Sequence, residues 1–105
     1  MSIKILYFGY IKEVFKKSYD IINIKDLSMN SNYEITYDDL CQYLLKIYNT
    51  NLNTEMKIQN DKVDFKSYLF EICLLAINDE FYDKKIPILL NSNLVISIIP
   101  PVSGG

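Results

Sequence analysis

A single stretch of this chain, residues 37–48, repeats its apolar side chains at helical spacing for about three turns, and the rest reads as short extended runs and turns. Tyr37, Leu40, Cys41, Leu44, Ile47 and Tyr48 recur three and four residues apart, with Gln42 and Lys46 on the opposite side. Thr36 precedes them as an N-cap whose hydroxyl can accept from a free amide of the first turn, and Asp38 and Asp39 sit at the positive end of the helix dipole. The polar run 49–53 stops the helix. One amphipathic helix has one stripe to bury, and the partner that short strands can offer is the face of a sheet. The fold class expected is therefore α+β, with one main helix packed on one face of a mixed sheet.

The extended runs support that reading. Residues 3–10 alternate, Ile3, Ile5 and Tyr7 pointing one way and Lys4, Leu6 and Phe8 the other, until Gly9 breaks the pattern. Residues 11–17 fit one helical turn or a connection, and Tyr19–Ile24 alternates again, so the two runs suggest a hairpin. Residues 25–34 read as a loop. The segment 54–67 fits either a short helix or an ordered surface loop. Tyr68–Ile77 is apolar but for Glu71, which suits a strand buried on much of both faces. Residues 78–85 form a polar turn in which Phe81 and Tyr82 can add a short strand. Pro87 restricts Ile86–Leu90 to an edge, and Leu94–Ile99 is the last strand. With 105 residues and no linker or internal repeat, one domain spans 1–99 and a tail occupies 100–105.

Composition removes several kinds of chemistry. The chain has no histidine and no arginine, so it lacks a general base that titrates near neutrality, an imidazole metal ligand and a bidentate phosphate clamp. A net charge of −2 gives no basic field for nucleic acid or anionic membrane. No apolar run approaches the length of a membrane span and the first residues do not form a signal segment, so a soluble, cytoplasmic protein is expected. Cys41 and Cys73 lie in apolar surroundings and read as buried thiols rather than as a disulfide or metal ligands. Tyrosines are abundant, but without an adjoining basic groove they do not make a stacking platform for single strands.

The remaining signal is the ending Pro100-Pro101-Val102-Ser103-Gly104-Gly105. Two prolines end sheet pairing and carry the last four residues away from the body on a stiff extended lead. A Gly-Gly end has no β-carbon and can enter a slot too narrow for other residues, bringing a carboxylate to a reacting centre. Ser103 has no base to activate it and reads as a small residue compatible with such a slot. A frayed terminus without function accounts equally for the two glycines taken alone.

The full ending Ile98-Ile99-Pro100-Pro101-Val102-Ser103-Gly104-Gly105 resembles that of the sulfur-carrier, or small, subunits of molybdopterin synthase. Ile3-Lys4-Ile5-Leu6-Tyr7-Phe8-Gly9 with Ile11-Lys12-Glu13 resembles that family's first strand and turn, and Ala76-Ile77-Asn78 its third strand. The chain departs from the family at Asn91-Ser92-Asn93, at Ile98 and Ile99, and at Lys12, where an arginine is customary. The resemblance implies a ubiquitin-like β-grasp and a carrier that is not itself a catalyst. It implies that a ubiquitin-activating-type adenylyltransferase uses ATP to adenylate Gly105, which sulfur then converts to a thiocarboxylate. It further implies that Pro100, Pro101, Val102, Ser103 and Gly104 insert into the large subunit of a heterotetrameric synthase. There sulfur passes to cyclic pyranopterin monophosphate to build the molybdopterin dithiolene. No bound cofactor and no metal are implied.

Within that fold the first and last strands are neighbours, so Leu6, Phe8, Val95 and Ile99 would form an apolar patch around Ser97 near the root of the tail, a surface suited to a partner. The competing expectation is that residues 54–67 fold back over it. Other readings are a carrier for thiamine or tRNA thiolation, a protein modifier, or a β-grasp binding module with an incidental tail. Pro100-Pro101-Val102-Ser103 separates the first reading from its relatives.

Overall fold

A computed structural model of the chain describes residues 1–27, 33–48, 55–58 and 61–101. The elements run β1 (Ser2–Tyr7), α1 (Tyr10–Phe15), β2 (Tyr19–Asn23), α2 (Ile24–Leu27), β3 (Glu34–Ile35) and α3 (Tyr37–Tyr48). They continue with β4 (Glu55–Ile58), β5 (Asp61–Asp64), α4 (Phe65–Ser67), a π-helical turn (Tyr68–Ile72), β6 (Leu74–Ile77), β7 (Glu80–Phe81), β8 (Ile88–Leu89) and β9 (Val95–Ile99). The main sheet has five strands in the order β2-β1-β9-β6-β7. β1 and β9 pair in parallel and the other neighbours antiparallel, so the last strand lies in the middle of the sheet. This is the expected α+β β-grasp.

Alternation decides which side chains enter the core. Ile3, Ile5 and Tyr7 of β1 and Ile96 and Ile98 of β9 are buried beneath α3, whose Tyr37, Leu40, Cys41 and Leu44 are fully enclosed. The helix begins as its sequence indicates: Thr36 Oγ1 accepts from the Asp39 amide at 3.1 Å. The buried stripe differs at one edge. Ile47 is 46% exposed and Leu45 is buried instead. At 3.6 residues per turn these two lie roughly 80° to either side of the stripe's centre. Helical spacing ranks them equally, and only the packing around the helix separates them.

Three further expectations are corrected. Residues 25–34 are not all loop: α2 continues directly from β2, and Glu34–Ile35 pairs with Ile88–Leu89. The segment 54–67 is neither a helix nor a loop over most of its length; β4 and β5 pair antiparallel, and only Phe65–Ser67 is helical, capped by Asp64 Oδ1 accepting from the Ser67 amide at 2.7 Å. Tyr68–Ile77 is not one strand. Its first half is the π-helical turn, closed by the Cys73 amide donating to the Tyr68 carbonyl at 2.9 Å, and its carbonyls find a donor the local sequence lacks. Lys84 Nζ donates to the carbonyl oxygens of Phe70, Glu71 and Cys73 at 3.1, 3.2 and 2.8 Å. Tyr37 OH donates to the Leu69 carbonyl at 2.6 Å and ties the same turn to α3. A short apolar run suits helix and strand alike, and these long-range bonds decide between them.

At the other end of α3, Asp20 Oδ2 accepts from the hydroxyls of Tyr7 and Tyr48, and Asp20 Oδ1 from Lys17 Nζ at 3.2 Å. Above them Phe15 stacks on Tyr48 at 4.2 Å between centroids and meets Phe65 edge-on at 5.7 Å.

Candidate functional site

The parallel register of β1 and β9 positions the root of the tail. Tyr7 is opposite Ile98, so the next residues along both strands bring Gly9 beside Pro100. Gly9 has φ +58° and ψ −132°, a backbone region that favours glycine, and a β-carbon there would lie 2.9 Å from Pro100 Cγ. The glycine thus serves both the turn out of β1 and the close approach of the proline. Pro100 is half-buried and Pro101 exposed. Val102, Ser103, Gly104 and Gly105, the rest of the sequence-derived site, lie outside the described residues.

On the sheet face away from α3, the patch forms where alternation places it. Leu6, Val95 and Ile99 are half-buried, and Phe8 is 42% exposed. Leu6, Phe8 and Ile99 meet Ala76, Ser97, Asp79 and Phe81 around a shallow cleft of about 180 Å³. Val95 does not line this cleft; it sits further down the face, opposite Lys4. Phe65 packs on Phe15 and Tyr10 on the core side, so this part of segment 54–67 joins the core and not the outer face.

Sequence reasoning missed Phe81, Ala76 and Leu74 as members of the face. Phe81 is 72% exposed and lies directly opposite Ala76. Its placement depends on the two-residue turn Asn78-Asp79, with φ +49° and +70°, the left-handed pair of a tight hairpin. Asn and Asp tolerate that conformation, so the pair was the available signal. Tyr19 and Ile21, on β2, extend the apolar face to the sheet edge and are 49% and 66% exposed.

The reactive groups within the body are shielded. Burial pushes the thiols of Cys41 and Cys73 up to about 12, against the opposing pull of hydrogen bonds from Tyr37 and Tyr68 respectively. Burial also raises the hydroxyls of Tyr7 and Tyr37. Among the described residues no group of three or more His, Cys, Asp or Glu side chains is placed to hold a metal ion, and no helix is long and apolar enough to cross a membrane.

A mixed sheet with a central parallel pair, one helix across it and a Pro-Pro lead issuing from the middle strand defines a ubiquitin-like β-grasp protein. The solved structures agree on the fold. SAMP1 from Haloferax volcanii superposes with a TM-score of 0.60 at 14% identity, covering 100% of both chains. A protein described as a candidate molybdopterin converting factor subunit 1 from Pyrococcus furiosus superposes with a TM-score of 0.58 at 15% identity, covering 97% of this chain and 99% of that one. No protein-family model matches the sequence. A full-length relative does: the molybdopterin synthase sulfur carrier subunit of Dictyostelium discoideum is 36% identical over 102 residues, 97% of this chain and 94% of that protein. The chain belongs to the family of molybdopterin synthase sulfur carrier subunits.

Proposed function

We propose that this protein is the sulfur carrier of molybdopterin synthase, with Gly105 as the residue that carries sulfur. The observation that supports the reading most directly is the near-full-length relationship to a named sulfur carrier subunit, together with the tail root held by Gly9. A carboxylate is a poor acyl donor. In the proposed sequence an adenylyltransferase of the ubiquitin-activating type uses ATP to form a mixed anhydride of Gly105 with AMP, releasing pyrophosphate. A sulfide equivalent then displaces AMP and leaves a thiocarboxylate, whose sulfur is a strong nucleophile.

In this reading residues 1–99 are the body and 100–105 the tail. Pro100, Pro101, Val102, Ser103 and Gly104 thread into the large synthase subunit, and Leu6, Phe8, Val95 and Ile99 form the docking face together with Phe81, which lines the same cleft as Leu6, Phe8 and Ile99. The large subunit catalyses transfer to cyclic pyranopterin monophosphate. The carrier itself holds no cofactor or metal and works in the cytoplasm, with no part for nucleic acid or membrane. The sulfur-loaded form is detectable by mass. Incubation with the activating enzyme, ATP and a sulfur donor should add about 16 Da at Gly105, one oxygen replaced by sulfur. No gain with the cognate enzyme would leave a binding module with an incidental tail.

A further inference from the structure

The apolar cleft is bounded by unlike charge on two sides. Phe8 lines it, and the next residue, Gly9, already belongs to a second shallow cleft shared with Lys12, Glu13, Lys16, Lys17 and Ser18. On the opposite side Asp79 forms a wall of the apolar cleft, with Glu80 following on β7. Lys12, Lys16, Asp79 and Glu80 are exposed, and the exposed Glu13 on the first flank stands against three lysines, which leaves that side basic. Among the described residues Lys12, Lys16, Asp79 and Glu80 make no ion pair, whereas the neighbouring Lys17 is held by Asp20. The chain as a whole is only −2, so the separation is one of position and not of net charge.

We propose that these flanks orient the protein that accepts the tail: Lys12 and Lys16 face carboxylates on that partner, and Asp79 and Glu80 face its basic side chains. The inference rests on the carrier reading and deepens it. An apolar sheet face gives area but little direction, since its contacts tolerate rotation about the sheet normal. Opposed charge beyond the two ends of the patch penalises the reversed docking by like-charge contact and steers the encounter before contact is made. Orientation matters here because Pro100 leaves the sheet at one end of the cleft, beside Gly9, and the partner's slot must meet it there.

The test is association of the full chain with the large synthase subunit, followed by stopped-flow at low and high salt. Lys12→Gln with Lys16→Asn removes one flank, and Asp79→Asn with Glu80→Gln the other. Asparagine is chosen where φ is positive, at Lys16 and Asp79, because it accepts that conformation. Each pair should slow association about fivefold or more at low salt, leave dissociation nearly unchanged, and converge with the unmodified chain at high salt. Association rates unchanged at low salt, a loss that persists at high salt, or acceleration by either pair would overturn the proposal. Acceleration would mark simple attraction to a partner of one net sign. If the unmodified chain itself fails to bind, the carrier reading falls and takes this inference with it; normal binding with indifferent variants removes the orientation alone.

Discussion

Gly9 lies against the ring of Pro100, so close that a β-carbon at Gly9 would stand 2.9 Å from Pro100 Cγ. The contact joins the turn after the first strand to the residue after the last. It fixes where the chain leaves the sheet, on which the steps proposed at Gly105 depend.

Gly9→Ala should therefore be costly twice, through the positive φ and through a contact with a ring that cannot rotate away. We expect a loss of about 1–3 kcal/mol, read as a lower urea midpoint with unchanged slope. An unchanged midpoint would mean that the proline shifts without cost.

Phe8→Asp puts a charge into the proposed docking face while removing little from the core, since Phe8 is 42% exposed. Binding to the large subunit should be abolished, with the circular dichroism spectrum and thermal midpoint close to those of the unmodified chain. Retained binding in calorimetry would sink the assignment of this face.

Asp20 carries a pH dependence. Burial pushes its carboxyl up, but hydrogen bonds from Tyr48, Tyr7 and Lys17, with the Lys17 charge, outweigh burial and hold it below the usual carboxylate range. A depressed folded pKa means stability that is present above the unfolded value, near 4, and is lost as pH falls through the folded one. Asp20→Asn should cost roughly 1.5–3 kcal/mol at neutral pH, and its stability should fall less than that of the unmodified chain between about pH 5 and pH 2. Parallel acid-denaturation curves for the two proteins would count against this role.

The thiols of Cys41 and Cys73 are fully buried and pushed up to about 12. At pH 8 a thiol reagent should label the native protein only as fast as it opens, and the rate should rise steeply in denaturant. Rapid labelling without denaturant would contradict the burial of either residue.

Much of this molecule is legible in the amino-acid order. The helix from Tyr37 to Tyr48, its Thr36 cap, the hairpin of the first two strands and the inward set Ile3, Ile5 and Tyr7 come from local periodicity and capping chemistry. Periodicity fails where two answers satisfy it equally. Leu45 and Ile47 flank the same stripe at matching angles, and Tyr68–Ile72 is as apolar as a buried strand. Lys84 is decisive for that turn, yet it is thirteen residues from Glu71, beyond any local pattern.

The sequence by itself determined an α+β class with one helix on a mixed sheet, and Leu6, Phe8, Val95 and Ile99 as outward residues, because alternation, capping and proline act over a few neighbouring residues; the β-grasp and the Gly-Gly ending as the proposed reactive end came from the family resemblance of its motifs. Only the tertiary structure decided that Gly9 seats Pro100, that Phe81 completes the face while Val95 stays outside the cleft, and that lysines flank it on one side and carboxylates on the other. Those relationships come from the register between strands distant in the chain, which no local periodicity encodes.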